Sequence, residues 1–385
     1  MAKIKNLTKA ANRIKKAIAQ RERIVLYGDA DMDGVTSVLI ADEAIKSLGG
    51  NVVAYYFPER EKEGYGVTPK ALEYLKQYAP ALLVTFDLGI SNFKEIPMAK
   101  KLGFDVIVVD HHKVLDRLPK ADIIVDPKQP GDEYPFKEFA ACGLSLQLAK
   151  EILGKKMSDT LYQSMVELAA LGTIADMMVR EQDNIKIIQD GLDALPYSWR
   201  PSIRAFLESD IFASQDRLED KAQKVISILN VRDTRNREPG AFRLLSCTSV
   251  PKAKKMVEQF VEKNRLRREE IARVADEVRM RIFHKKSDAL VFEGSEQFEF
   301  MLLGAVASII SQETQKPAFI YKKRREGLLG SIRAPLGYDT VKAMQHCSEF
   351  LDVYGGHPQA AGFQTTSDKE EGLHVCLTEY FQKNK

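Results

Sequence analysis

The sequence carries three aspartates at alternate positions, Asp29, Asp31 and Asp33, directly after an apolar run at residues 23–27. Three carboxylates this close together repel one another unless a cation neutralises them. Carboxylate oxygens are the ligands that Mg²⁺ and Mn²⁺ prefer in proteins. The spacing therefore predicts a site for a divalent metal ion.

Two alternatives compete with this interpretation. Asp29, Asp31, Asp33 and Gly34 match positions 1, 3, 5 and 6 of an EF-hand calcium loop. Position 12 of that loop should be a bidentate Glu but is Ile40, and the motif follows a predicted strand instead of a helix. The EF-hand is therefore excluded, while a solvated acidic turn stays open.

Further candidate ligands follow later apolar runs, at Asp87, Asp110, His111, His112 and Asp176. Asp87 and Asp110 each follow a run typical of a strand, and Asp176 follows an apolar helical segment. Adjacent histidines on a strand point to opposite faces, but a turn at the strand end lets one bind metal while the other faces a substrate. A capping or turn role is the alternative for the histidines and for Asp176.

The elements that position these residues alternate between two periods. Short apolar, β-branched runs predict strands at residues 23–27, 51–57, 81–86, 105–110 and 123–125. Helical segments lie between them, at residues 36–48, after Thr68-Pro69 and at residues 92–102. Because each strand is apolar along its whole length, we expect a parallel sheet that is covered on both faces. Ligands of such sheets bind beyond the carboxyl ends of the strands, where the candidate ligands lie.

The rest of the chain predicts a helical connector and a second, smaller α/β domain. The pattern is helical from about residue 139 to 228, and residues 250–283 form one long charged segment without Gly. We expect the later elements to be a strand at 289–292, a helix at 301–312, a hairpin of 318–321 with 327–333, and a helix that ends near 350. The predicted domains are residues 1–195, 196–283 and 284–385.

Composition agrees with a packed protein of this size. The 385 residues allow two or three domains of about 150 residues. Hydrophobic residues make up 44% of the chain and charged residues 29%, as in soluble globular proteins. The 57 basic and 54 acidic residues give a net charge of +3, which by itself favours no partner. Residues 251–350 have a basic excess that would suit a polyanion.

Several classes of protein are not expected. The sequence has no apolar run of the roughly 20 residues that a membrane span needs, and its start lacks the uninterrupted apolar core of a signal peptide. We therefore expect a cytoplasmic protein with no membrane partner. The four cysteines include no C-x-x-C pair, so we expect neither a zinc ribbon nor a disulfide framework.

The motifs, in their order along the chain, resemble those of the DHH phosphoesterase superfamily. They are Asp29-x-Asp31-x-Asp33-Gly34, Asp87-x-Gly89, Asp110-His111-His112 and Ala175-Asp176. The form of the first motif, which begins Tyr27-Gly28, and the long helical stretch before the last domain look most like RecJ-type single-strand exonucleases. Because only a short segment follows Phe363, we expect an archaeal-like short form without the OB-type domain of bacterial enzymes.

The resemblance implies a two-metal phosphodiesterase that uses two Mn²⁺ ions, with Mg²⁺ as the alternative. The positions that match the family's metal ligands are Asp31, Asp33, Asp87, His111 and Asp176, and Asp87 would bridge both ions. His112 matches the residue that contacts the scissile phosphate, and Asp29 and Asp110 would hold the geometry of the ligands. The catalytic set is thus Asp87, His112, Asp29 and Asp110. Tyr27 stands where many relatives have a histidine.

The resemblance extends to a substrate-binding domain near the end of the chain. Gly330-Ser331-Ile332-Arg333 and the segment Gly355-Gly356-His357-Pro358 look like motifs of the DHH-associated C-terminal domain. The implied substrate contacts are Ser331, Arg333, Gly355, Gly356 and His357. Glycines also allow close backbone approach, and their N–H groups can bind an anion. Taken alone, Gly-Gly-His would more often be a simple turn.

The expected function is that of a metal-dependent exonuclease. It would degrade single-stranded DNA or RNA from one end, in a cleft between the two α/β domains, and would act alongside replication or repair proteins. The first alternative is a phosphodiesterase for short oligonucleotides, like nanoRNases, or for cyclic dinucleotides. The second is a non-catalytic replisome scaffold of the same fold.

Overall fold

The structure is a computed structural model, and it describes residues 3–115, 117–209, 217–231, 233–283 and 288–384. The chain divides into two compact units, residues 1–262 and 263–385. The three-way division expected from the sequence, with its boundaries at 195 and 283, is finer than this and stays a prediction.

The first unit is built on a five-stranded parallel sheet. Its strands are β1 (Arg23–Gly28), β2 (Asn51–Tyr56), β3 (Ala81–Phe86), β4 (Phe104–Val109) and β5 (Ile123–Val125). Their spatial order is β2-β1-β3-β4-β5, and every neighbouring pair is parallel. Strand β2 lies on one side of β1, and the later strands β3, β4 and β5 lie on the other side. The strand order therefore reverses between β1 and β3. Ligands of open α/β sheets bind beyond the strand ends at this point.

Twelve helices of the described residues begin in the first unit. They are α1 (Leu7–Ala19), α2 (Met32–Ser47), α3 (Arg60–Glu63), α4 (Pro69–Leu75), α5 (Glu95–Lys101), α6 (Ala141–Leu153), α7 (Asp159–Ala175), α8 (Gln182–Ala194), α9 (Pro201–Leu207), α10 (Leu218–Leu229), α11 (Gly240–Leu245) and α12 (Val250–Ile282). The long connecting helix expected at residues 250–283 is present as α12. The boundary between the two units falls within it.

Both faces of the central strands β1, β3 and β4 are buried along most of their length, which explains why these strands are mostly apolar. On one face, Leu26 and Val84 pack in a core that includes α1, α2, α6 and α7. On the other face, Val25 and Leu83 pack in a core that includes α4 and α5. Each fully buried side chain of this size contributes about 1.5–3 kcal/mol. Burial therefore fixes the register, because a one-residue slip would exchange the two faces.

The second unit contains a mixed five-stranded sheet. Its elements, in chain order, are β6 (Val291–Ser295), α13 (Phe300–Thr314), β7 (Ala318–Arg324), β8 (Gly327–Arg333), α14 (Thr340–His346), β9 (Val353–His357), β10 (Ala360–Thr365) and α15 (Glu370–Lys383). The order is β6-β7-β8-β10-β9, with only the β6–β7 pair parallel. The α13 helix covers one face, and α14 and α15 cover the other. The α/β fold class expected for both ends of the chain is confirmed.

Some local expectations were wrong. Helix α2 begins at Met32 instead of residue 36, because the Asp31 side chain caps it by accepting a hydrogen bond from the amide of Gly34. Strand β6 lies two residues later than expected. Cys347 and Cys376 form a disulfide, with their Cα atoms 5.9 Å apart, although no disulfide framework was expected.

Among the described helices, none has the length and apolar character that crossing a membrane requires.

Candidate metal centre

Four aspartates lie side by side at the carboxyl edge of the first sheet. Each directly follows a strand: Asp29 after β1, Asp87 after β3, Asp110 after β4 and Asp126 after β5. The backbone ladder continues past the strand ends, with N–H···O distances from Asp29 to Phe86 of 3.2 Å, from Asp87 to Val109 of 3.0 Å and from Asp110 to Val125 of 3.1 Å. Adjacent strands are about 4.8 Å apart. The sheet therefore forces these like charges into one row.

The start of helix α2 adds two more carboxylates to this edge. Asp31 caps the helix, and its Oδ1 accepts the amide of Gly34 at 3.0 Å. Asp33 lies in the first turn. A Cβ atom on Gly34 would lie 2.4 Å from the carbonyl oxygen of Asp29, so only glycine lets the helix approach the strand end this closely.

Asp33 is held by the start of another helix. Its two carboxylate oxygens accept the amides of Ala141 at 2.7 Å and of Cys142 at 2.8 Å, at the amino end of α6. A helix amino terminus stabilises negative charge. Burial nevertheless raises the pKa of Asp33 above its usual range, so its ionised form gains from a nearby cation.

His111 points into the carboxylates. Its Nε2 atom lies 3.2 Å from Oδ1 of Asp87, 3.6 Å from Oδ2 of Asp176 and 3.7 Å from Oδ2 of Asp33. Burial lowers the pKa of the imidazole, which favours the neutral form that binds metals. Its Nδ1 atom is buried and has no hydrogen-bond partner among the described residues.

Asp87 is the most strongly perturbed of these acids. Burial raises its pKa well above the usual range, and the charges of Asp31, Asp33, Asp29 and Asp110 raise it further. Its backbone φ of +62° is unusual for a non-glycine residue. Conformations of this kind cost about 1–3 kcal/mol and cluster at functional sites.

His112 differs from its neighbour in charge and exposure. Its Nδ1 atom lies 2.8 Å from Oδ1 of Asp110, and its side chain is 57% exposed. Asp110 also accepts the amides of His111, His112 and Ile90, at 2.8, 3.2 and 3.0 Å. Burial alone would raise the pKa of Asp110, but these contacts and the charge of His112 lower it. The hydrogen bond that His112 donates to Asp110 in turn raises the pKa of His112 to about 9, so His112 is a cation at neutral pH.

Three groups of side chains could hold a metal ion among the described residues. Within each group the candidate ligand atoms lie within 4.8 Å of one another. The groups are Asp87 with His111 and His112; Asp33 with His111 and Asp176, which we call the Asp176 group; and Asp29 with Asp31 and Asp87, which we call the Asp29 group. Their oxygen and imidazole donors, and the raised pKa values of Asp33 and Asp87, fit divalent cations such as Mn²⁺ or Mg²⁺. All five expected ligands belong to these groups, but their individual roles stay predictions.

Arg60, which the sequence analysis did not identify, pairs with two of the acids. Its Nη2 atom lies 2.7 Å from Oδ2 of Asp31 and 2.7 Å from Oδ2 of Asp29, and its Nε donates to Oδ1 of Asp29 at 2.9 Å. Burial alone would raise the pKa of Asp31, but the charge of Arg60 and the amide of Gly34 lower it. Nothing in the local sequence pattern linked residue 60 to residues 29 and 31.

Asp126 was also missed, although it follows a strand just as Asp29 and Asp87 do. It is fully buried, and its Oδ1 accepts the amide of Lys128 at 2.7 Å. Its Oδ2 has no hydrogen-bond partner among the described residues. Burial, with the nearby charge of Asp110, raises its pKa to about 7. An aspartate directly after an apolar run was the signal that could have identified it.

Tyr27 uses its hydroxyl elsewhere. The side chain is buried in the core beside Tyr56, and the hydroxyl donates to the carbonyl oxygen of Gly66 at 3.0 Å. Burial raises the pKa of this phenol well above its usual range. The neutral hydroxyl is therefore a structural hydrogen-bond donor.

The second unit brings together four of its five expected substrate contacts. In the sheet register, Ala360 lies between Arg333 and His357, and Gly362 lies between Ser331 and Gly355. Directly paired residues of antiparallel strands share a face, so these four residues lie on one face over a floor of small residues. Gly356 pairs with Ala361 and belongs to the opposite face.

Comparisons with known proteins agree with this geometry. Residues 23–173 match the family model described as DHH family, N-terminal domain. The single-stranded-DNA-specific exonuclease RecJ of Bacillus subtilis (strain 168) is 32% identical over 382 residues, with 98% of this chain and 48% of the relative covered. The chain therefore spans about half the length of that relative.

Solved structures share the fold. A crystal structure of exonuclease RecJ bound to manganese superposes with a TM-score of 0.82 at 25% identity, over 99% of this chain and 95% of that chain. RecJ from Thermus thermophilus in complex with Mn²⁺ has a TM-score of 0.83 at 23% identity, over 99% of this chain and 55% of that chain. The second likeness shows the fold alone. The resemblance inferred from the motifs is confirmed.

Gly172 is predicted to position Asp176. A Cβ atom at residue 172 would lie 2.4 Å from Oγ1 of Thr36 and 2.6 Å from Sγ of Cys142. Gly172→Ala should push the end of α7 away from α2 and α6, and should weaken Mn²⁺ binding about 10-fold or more because Asp176 moves with it. Isothermal titration with Mn²⁺ measures this. Gly143→Ala, whose Cβ would meet only side chains of Phe139 and Ile187, is the control; equal affinity in both variants would refute the role of Gly172.

Asp126 is predicted to make stability depend on pH. The folded carboxyl group keeps its proton up to a pKa of about 7, whereas the unfolded group loses it near 3.8. The folded state therefore binds the extra proton between these values, and the free energy of unfolding falls as pH rises through them. Asp126→Asn should match the wild type near pH 4 and exceed it by about 1–3 kcal/mol at pH 8.

Urea unfolding of the metal-free protein across this pH range tests the prediction. Asp193→Asn, which removes one carboxylate from an exposed position, is the matched control. A difference between wild type and Asp126→Asn that stays constant with pH would contradict it.

Proposed function

We propose that this chain, whose residues 23–173 match the DHH family, N-terminal domain model, is a metal-dependent exonuclease that hydrolyses phosphodiester bonds of single-stranded nucleic acid. The observation that carries the proposal is the position of Asp87. It belongs both to the Asp29 group and to the group that contains His111 and His112, and His111 links the latter to the Asp176 group. This sharing suits a pair of metal ions held side by side.

The first unit would supply the hydrolytic chemistry. A pair of bound divalent ions provides Lewis acidity towards water and towards both oxygens of an in-line displacement at phosphorus. The residues that would hold the pair are Asp31, Asp33, Asp87, His111 and Asp176. Their positions are fixed by strand ends, by the start of α2 with the α6 amides that hold Asp33, and by the end of α7, so the ligands need little reorganisation.

His112 would contact the phosphate. Asp110 accepts a hydrogen bond from its Nδ1, so the second ring nitrogen remains as the donor of a half-exposed imidazolium. A cation held in this way can donate to a phosphate oxygen on which charge develops. Asp110 thereby acts as a positioning residue for His112. Asp29 would act as a positioning residue for Asp31, because Arg60 contacts both carboxylates.

The second unit would grip the substrate. Arg333 is half-buried and lies beside Ser331 on the sheet face that ends at the exposed His357. A guanidinium, a hydroxyl and an imidazole on one face suit a phosphate or a terminal nucleotide. The glycines leave room for the chain of a nucleic acid to approach the backbone.

Single-stranded DNA is the proposed substrate because the Bacillus subtilis relative named above is a single-stranded-DNA-specific exonuclease. The domain division at residues 195 and 283, a cytoplasmic location, and association with replication or repair proteins belong to the same proposal.

Asp87→Asn is expected to abolish hydrolysis while the fold remains. The substitution removes the carboxylate that both metal positions would share, so the rate should fall at least about 1000-fold. Circular dichroism checks the fold, and release of labelled nucleotides from single-stranded DNA with Mn²⁺ measures the rate. Hydrolysis at the wild-type rate would refute the two-metal proposal.

The same assay tests the substrate. Single-stranded DNA and RNA of several lengths, a duplex and a cyclic dinucleotide are each incubated with wild type and Asp87→Asn. The proposal expects shortening of single strands from one end, with the duplex intact. Activity restricted to dinucleotides or cyclic dinucleotides would replace it with a short-substrate phosphodiesterase, and no metal-dependent activity on any of them would favour the scaffold.

His357→Ala is expected to weaken substrate use without loss of metal. His357 lies in the second unit and is a member of none of the candidate ligand groups, so KM for single-stranded DNA should rise about 10-fold while Mn²⁺ binding stays at the wild-type level. Val353→Ala, on the same exposed strand, is the control. Loss of bound Mn²⁺ in His357→Ala would contradict the assignment.

A further inference from the structure

Arg60 fills the space between two carboxylates of the Asp29 group. Its guanidinium forms a two-pronged contact with Asp29 and a third contact with Asp31, at 2.7 to 2.9 Å. The remaining oxygen of Asp31 accepts the amide of Gly34. Both oxygens of Asp31 are therefore already engaged by hydrogen-bond donors of the chain itself.

The Asp176 group differs in this respect. Within the described ranges, no lysine or arginine forms an ion pair with Asp33 or Asp176, and the only ion-pair partner of either carboxylate is His111 of the same group. A metal ion can therefore bind the Asp176 group without displacing a basic side chain. The Asp29 group and the Asp176 group should therefore differ in their affinity for a metal ion.

We propose that Arg60 is a tethered cation that competes with a divalent metal ion for the Asp29 group. The inference rests on the two-metal function proposed above. A metal ion that binds Asp31 must take the oxygen that Arg60 now holds, or share the carboxylate with a guanidinium a few ångströms away. Like charges at that distance repel strongly in a partly buried site. The Asp176 group therefore fills first, and the Asp29 group fills second and more weakly.

The surroundings of Arg60 allow its guanidinium to move away from Asp31 when a metal ion binds. It begins α3, a helix of only four residues, and its side chain is a quarter exposed. Its guanidinium also lies 5.2 Å from the ring centre of Tyr65, which is 75% exposed. A cation released from Asp31 keeps favourable contact with this ring and with Asp29. Without metal, Arg60 instead offsets the repulsion between Asp29 and Asp31.

The test measures binding of Mn²⁺ alone to the full chain after removal of metals by chelation. Isothermal titration of the wild type should show two ions of unequal affinity. Arg60→Gln should tighten the weaker site about 10-fold or more and leave the tighter site unchanged, because only the Asp29 group loses its competing charge. Arg60→Lys keeps the charge but loses the two-pronged guanidinium contact. Its Mn²⁺ affinity at the weaker site should lie between those of wild type and Arg60→Gln.

Arg13→Gln is the matched control. Arg13 also bridges two carboxylates, Glu22 and Asp105, each at 2.7 Å, and is similarly buried, but neither carboxylate belongs to a candidate metal group. Its removal should leave both Mn²⁺ affinities unchanged. A second readout is thermal unfolding, in which Mn²⁺ should raise the melting temperature of Arg60→Gln more than that of wild type.

The possible results separate the two proposals. An unchanged or weakened second site in Arg60→Gln would overturn the competition, since Arg60 would then only orient Asp31. If Arg60→Gln does not fold, equal affinities in wild type and Arg60→Lys would overturn it. A wild type that binds fewer than two Mn²⁺ ions would instead contradict the two-metal function.

Discussion

Lateral hydrogen bonding at the end of a parallel sheet is the constraint on which the rest of the first unit depends. The ladder runs one residue beyond β1, β3 and β4, and so holds Asp29, Asp87, Asp110 and Asp126 in a row with spacings of about 4.8 Å. Unneutralised carboxylates at this spacing raise one another's pKa values. The surrounding elements reduce that cost. The amide groups of α6 hold Asp33, three backbone amides hold Asp110, and Arg60 holds Asp29 and Asp31.

The aspartates and histidines at this edge of the sheet differ in protonation state. Asp110 is ionised and fixes His112 as a cation, whereas burial favours neutral His111 and a protonated Asp87 in the absence of metal. Two adjacent histidines thus differ in charge because one contacts an ionised carboxylate and the other is desolvated. This division suits the proposed function, since a neutral imidazole can ligate a metal ion while an imidazolium attracts a phosphate. Metal binding would also release the protons that burial now retains.

In the second unit, strand pairing places the expected substrate contacts. Strands β9 and β10 were not expected from the sequence, because glycine has low strand propensity. Pairing with β8 overrides that propensity and places Ser331, Arg333, Gly355 and His357 on one face. The glycines then serve as a floor without side chains. Strand pairing, not local preference, therefore decides that these four residues share one face of the sheet while Gly356 belongs to the other face.

The sequence by itself determined the strands of the first sheet, the long helix α12 and the order of the acidic motifs. It could do so because apolar runs that end in Asp have a local signature. It also predicted that Asp31, Asp33, Asp87 and His111 would meet, because parallel strands end at one edge, whereas only the resemblance to the DHH superfamily implied that Asp176 joins them. Only the tertiary structure decided that Arg60 would pair with Asp29 and Asp31, that Asp126 would be buried with an unpartnered oxygen, and that His111 and His112 would differ in charge. The reason is physical: pairing across distant segments and desolvation depend on what packing brings together, and neither is encoded in the spacing of neighbouring residues.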